Sequence, residues 1–120
     1  AWRRKHPKGK IMCTQGIGQD GHTAGILPYP DNPKKFQRLF EKQNQWVVGY
    51  NANKGKSEYV KRVTVTLPFL RTEVDCGVAY ATGAKKRRAV RSVSAKRGSL
   101  AKTPARILRE MKSVTLFVDQ

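Results

Sequence analysis

The sequence predicts an α/β fold, a mostly parallel sheet flanked by helices. Three observations predict it. Short runs of β-branched and apolar residues recur along the chain, as in Val63-Thr64-Val65-Thr66-Leu67 and Val114 to Val118. Between them lie segments with apolar residues at helical spacing, such as Phe36, Leu39 and Phe40. Glycine- and proline-bearing stretches separate the two kinds of segment.

Residues 1–9 form a basic, polar lead-in, and residues 10–120 a single α/β domain or half-domain. A short buried strand is expected over 10–15, followed by a glycine-rich bend, Gly16 to Pro28. Pro28, Pro30 and Pro33 keep the next stretch irregular, and a short helix then ends near Gln43. Trp46 to Tyr50 is a strand, 51–57 a polar loop and 63–67 a strand. Pro68 suits a first helical turn, so 68–73 is a short helix. Cys76 to Ala81 is an apolar strand closed by Thr82-Gly83. Residues 84–95 form a helix with Ala89, Val90 and Val93 inward and four basic residues outward, ended by Gly98. Thr103-Pro104 starts another helix, with the threonine hydroxyl as cap and Ala105, Leu108 and Met111 on its apolar side. Val114 to Val118 is the last strand.

The 120 residues suffice for one modest core, and 38% apolar content argues against disorder. No apolar run approaches the roughly 20 residues that span a bilayer, and no apolar stretch follows the charged N-terminus as in a secretory signal. A start at Ala1 suggests a processed chain or a fragment. Cys13 and Cys76 lie in apolar runs and read as two reduced, buried thiols; no spacing supports a metal site. The expected location is cytoplasmic. The net charge of +17 predicts affinity for polyanions, including nucleic acid, but such charge also suits a solvated face. The aromatics Trp2, Phe36, Phe40, Trp46 and Tyr50 are expected to be mostly buried, unlike the exposed rings of single-strand binders.

The bend holds the chemistry. Gly16, Gly18 and Gly21 fit the spacing G-x-G-x-x-G, yet prolines follow where a dinucleotide loop would open into a long helix. A glycine bend at a strand's carboxyl end frees amide groups for an anion. An imidazole titrates near neutrality, so His22 can serve as a proton acceptor, with Asp20 orienting it and water as the nucleophile. Equally, Asp20 can cap a turn beside an ordinary loop histidine, and spacing alone favours that.

Beyond spacing, Asp20-Gly21-His22-Thr23-Ala24-Gly25-Ile26-Leu27-Pro28 resembles the D-G-H-T-A-S-L-F-P signature of 6-phosphogluconolactonases. The preceding strand and Gly16-Ile17-Gly18 match as well. Trp46-Val47-Val48 resembles that family's next strand, and Arg62-Val63-Thr64-Val65-Thr66-Leu67-Pro68 its R-I-T-L-T-L-P block. Thr82-Gly83 with Lys86 resembles its T-G-x-x-K turn, and 104–119 its closing helix and strand. The resemblance implies a Rossmann-like, three-layer fold, of which this chain is similar to the C-terminal half only. It implies hydrolysis of 6-phosphoglucono-1,5-lactone to 6-phosphogluconate, the sugar-phosphate step of the pentose phosphate route, with no metal or organic cofactor. By position, His22 would activate water, Asp20 would hold it, and Arg62 would meet the phosphate. Lys86 is a second phosphate candidate, or a solvent-facing helix lysine. Glucosamine-6-phosphate deaminases share the Asp-x-His pair but carry a glutamate where this chain has Leu27. The resemblance also implies a missing N-terminal half, or a second chain, that completes the pocket. The alternative is a non-catalytic basic module that binds nucleic acid or a ribonucleoprotein.

Overall fold

The computed structural model describes residues 1–53 and 55–119. Lys54, within the polar loop expected at 51–57, and Gln120 lie outside the described residues. Three strands form the parallel sheet in the order β1 (Met12–Gly16), β4 (Cys76–Ala81), β5 (Val114–Val118). The register pairs Cys13 with Gly77 and Gly77 with Val114. The mostly parallel α/β arrangement is therefore present. The remaining strands, β2 (Val47–Asn51) and β3 (Lys61–Val65), form a separate antiparallel pair. Their polar connection lets them pair with each other rather than join the larger sheet.

The helices follow the sequence with local differences. The lead-in folds into one turn, α1 (Trp2–Lys5). Asn32 caps α2 (Pro33–Phe36), which continues as a π-helical turn over Gln37–Glu41. Thr66 caps α3 (Leu67–Thr72). A 3₁₀ turn, Ala84–Lys86, leads into α4 (Arg87–Ser94). The helix expected after Thr103 is a 3₁₀ segment, Pro104–Arg109, and the Thr103 hydroxyl does not cap it. Thr103 is instead buried, with its side chain beneath Gly21.

One face of the parallel sheet packs inward. Gly77, Ala79 and Ala81 of β4 are buried, and Met111 lies close to Gly77. The opposite face is open: Met12 is 68% exposed, Tyr80 60% and Phe117 53%. The core is centred on Phe40, which meets Tyr50 edge-on at 4.9 Å and Phe36 at 5.2 Å between ring centroids. Trp2 and Trp46, expected inside, are about half exposed. The thiols of Cys13 and Cys76 are free but half-buried rather than buried. Their outer flank is the open sheet or its edge.

Arg71 binds both oxygens of Glu41, at 2.8 and 3.2 Å, and reaches Glu110 at 3.3 Å, fastening α3 to two neighbouring turns. Asp75 fastens the lead-in: its Oδ2 accepts from the Ile11 amide and from Arg3 Nη2, both at 2.8 Å. The Ile11 amide first, then Arg3, holds the Asp75 carboxyl down at about 2. A folded value below the ordinary carboxylate value of about 3.9 stabilises the fold above that pH, and the gain is lost as pH falls towards 2. Thermal melts between pH 5 and 2 are expected to fall more steeply for the native chain than for Asp75→Asn. Parallel pH curves would refute that role.

Candidate active site

The bend from Gly16 to Pro28 leaves the carboxyl end of β1 and closes on itself. The Gly18 amide donates to the His22 carbonyl at 2.9 Å, and the Gly21 amide to the Gly18 carbonyl at 3.0 Å. Gly21 takes φ +87°, where a Cβ would also press Thr103 Cγ2 at 3.0 Å. Ile17, Ile26 and Leu27 anchor the bend in the core. Polar ties fix the rest. Buried Gln15 donates to Thr23 Oγ1 at 3.0 Å, and the Thr23 hydroxyl donates to the Gly16 carbonyl at 2.8 Å. Gly25 is held from the hairpin: its amide donates to Thr64 Oγ1 at 3.0 Å, and its carbonyl accepts from the Tyr50 hydroxyl at 2.6 Å. Burial pushes the Tyr50 phenol up to about 12, so it keeps that proton at physiological pH.

This frame fixes the pair. Asp20 Oδ1 lies 2.6 Å from His22 Nδ1 and accepts from the His22 amide at 3.1 Å. A carboxylate only accepts, so Nδ1 carries the hydrogen and Nε2 keeps its lone pair in the neutral ring. Burial pushes the Asp20 carboxyl up, but hydrogen bonds from the His22 ring and amide outweigh it and leave it below its ordinary value. Asp20 is thus ionised at neutral pH. The pair borders a cleft of about 610 Å³, lined by the end of β1, residues 17–20, His22, Ala24 and Lys86. An oriented imidazole with a free nitrogen, a cation and glycine backbone can deprotonate a water beside an anionic ligand.

Gly18 lies directly under the ring. A Cβ there would overlap His22 Nδ1 and Cε1 and stand 2.8 Å from Asp20 Oδ1. Gly18→Ala is expected to push the imidazole off the carboxylate and destabilise the chain by about 1–3 kcal/mol. Loss of the Nδ1–H···O hydrogen bond in the imidazole NMR spectrum would register it; an unchanged spectrum would contradict it.

The structure brings together Gly16, Gly18, Asp20, His22 and Lys86. It does not bring two other expected residues into that lining. Gly21 borders a second cavity of about 230 Å³ that shares Asp20 with the cleft. Arg62 lies on the hairpin opposite Tyr50, where Nη1 donates to Ser57 Oγ at 2.8 Å. Sequence reasoning missed Gln15, Tyr50 and Thr64 as supports of the loop. A glutamine in an otherwise inward strand position was the available signal for the first. Among the described residues, no group of three or more His, Cys, Asp or Glu is placed to hold a metal ion.

Residues 11–117 match the family described as glucosamine-6-phosphate isomerases/6-phosphogluconolactonase. The chain belongs to this family. The 6-phosphogluconolactonase of Leishmania guyanensis superposes with a TM-score of 0.69 at 27% identity, over 90% of this chain and 38% of that one. That of Trypanosoma brucei gives 0.68 at 26% identity, over 89% and 38%. That of Shewanella baltica shares the fold, with a TM-score of 0.73 at 16% identity, over 98% and 47%. No curated protein sequence matches the chain. The chain thus spans about two-fifths of the first two of these lactonases. Leu27, next to Ile26 in the bend, is an apolar side chain buried in the core. No helix among the described residues is long and apolar enough to cross a membrane.

Proposed function

We propose that this chain carries the catalytic loop of a 6-phosphogluconolactonase. The observation that carries the reading is the 2.6 Å contact between Asp20 and His22 Nδ1, which leaves Nε2 with its lone pair on a residue that lines the cleft. His22 Nε2 removes a proton from water as the oxygen attacks C1 of 6-phosphoglucono-1,5-lactone. The ionised Asp20 stabilises the imidazolium that forms. The C1–ring oxygen bond then breaks, and the imidazolium returns the proton to the departing ring oxygen, giving 6-phosphogluconate. Lys86 at the cleft attracts the phosphate. Arg62, the phosphate residue that the resemblance implies, has a fork suited to two hydrogen bonds but lies outside the cleft lining. The buried Leu27 supplies no carboxylate and favours the lactonase branch over the deaminase branch. A cytoplasmic location follows from the reading.

The pocket needs a second polypeptide segment, either an N-terminal half of the same protein or another chain. Two observations support this. The lactonases it resembles are more than twice as long. Parallel sheets are ordinarily covered on both faces, and here Met12, Tyr80 and Phe117 stand in the open. The test combines this chain with the N-terminal half of the Leishmania guyanensis enzyme and follows lactone loss against spontaneous hydrolysis. Acceleration that needs both parts is expected. An assembled pair that is no faster than buffer would overturn the proposal.

A further inference from the structure

We propose that the surface built on α4 docks duplex nucleic acid through its phosphate backbone, a role separate from lactone hydrolysis. From Cys76 to Arg109 the chain carries ten Lys or Arg and no Asp or Glu. Two of the ten serve the fold: Arg106 donates to the Ser92 and Ala95 carbonyls, and Arg109 to those of Val93 and Ser94. These bonds satisfy the carbonyls at the C-terminal end of α4. The other eight are the basic run 85–88, Arg91, Lys96, Arg97 and Lys102. None of their side chains forms an ion pair or hydrogen bond among the described residues. Seven are exposed and Lys86 is half-buried. Unpaired like charges concentrated in residues 85–102 repel one another, and a polyanion relieves that repulsion while releasing its counterions.

The same stretch selects the polyanion. Residues 81–109 contain no aromatic side chain, so no platform exists for stacking unpaired bases. Of the apolar side chains of α4, Ala89 and Val93 are buried and Val90 is half-buried against the core, so none stands exposed for insertion into a lipid surface. What remains is recognition of regularly spaced phosphates, the chemistry of a duplex backbone. The face also adjoins the cleft. Lys86 lines the cleft itself, while Arg88 and Lys102 line the second cavity behind Asp20.

The test is fluorescence anisotropy with labelled random-sequence 20-base-pair DNA and RNA duplexes between 50 and 200 mM salt. Saturable binding is expected, with a log–log salt slope no steeper than about −7, the limit for eight phosphate contacts on DNA. The triple variant Arg87→Glu, Arg91→Glu, Arg97→Glu is expected to bind at least about tenfold more weakly. A control triple, Lys34→Glu, Arg38→Glu, Lys42→Glu, makes the same change in net charge around α2 and is expected to cost about threefold or less. Circular dichroism checks folding, and glutamine versions of both triples replace them if a glutamate version unfolds. DNA and RNA duplexes bound alike support recognition of the shared backbone, and preference for one identifies its source. Equal losses in both triples would reduce the effect to net charge and overturn the proposal. Binding only to single strands, to phosphatidylserine vesicles or to polyglutamate would overturn it too. None of these readouts depends on lactone turnover.

Discussion

His22→Ala is expected to slow lactone opening by the completed enzyme by about 10²- to 10⁴-fold, the range for losing a positioned general base. The fold should survive. The imidazole is on a loop, its side chain is 37% exposed, and its only hydrogen-bonding partner among the described residues is Asp20. Surface substitutions of this kind usually change stability by no more than about 0.5 kcal/mol. A fall in turnover with an unchanged thermal midpoint therefore assigns the loss to chemistry. Asp20→Asn should give a smaller loss, because the acceptor nitrogen remains but the carboxylate no longer fixes the tautomer or balances the imidazolium. Undiminished turnover in His22→Ala would remove the base from the mechanism altogether.

The largest expected effect on stability is that of Phe40→Ala. Phe40 is fully buried and packs against three other rings: Phe36, Tyr29 and Tyr50. Truncation removes its transfer energy, leaves a cavity and loses the edge-on ring contacts, together about 3–5 kcal/mol. For a chain of this length that lowers the melting midpoint by about 10–20 °C. The consequence reaches the site. The Tyr50 ring rests edge-on against Phe40, and its hydroxyl holds the Gly25 carbonyl in the bend that carries His22. A cavity beside Tyr50 loosens that tie, so a Phe40→Leu variant, which fills more of the space, should recover part of both stability and turnover. A midpoint shift of only a few degrees in Phe40→Ala would show that the aromatic cluster is not the centre of the core.

The features legible in the sequence were those with local causes. Cys76 to Ala81 is a strand with the bounds its apolar run predicts, and Thr66-Leu67-Pro68 starts a helix at its hydroxyl and proline. The His–Asp pair is legible through the motif resemblance and not through spacing, which favours a turn-capping Asp20; the structure holds both contacts, since Oδ1 meets the His22 amide and its ring. Features that depend on distant partners were not legible. Whether β2 joins the main sheet or pairs with β3 is decided by competition between edges. Arg62 matches a motif, yet the register sets it opposite Tyr50 on the hairpin rather than in the cleft lining. Thr103 has the chemistry of a cap, but packing beneath Gly21 claims its side chain. Trp2 and Trp46 show that an aromatic identity does not by itself ensure burial.

Gly16 belongs to two surfaces at once: it borders the cleft, and it lies beside Tyr80 on the open side of the sheet. A polypeptide seated over Tyr80 and a sugar phosphate seated beside His22 therefore share one stretch of main chain. Thermodynamic linkage makes any coupling between them reciprocal: whatever factor such a cover adds to ligand affinity in the cleft, the ligand must add to the affinity of the cover.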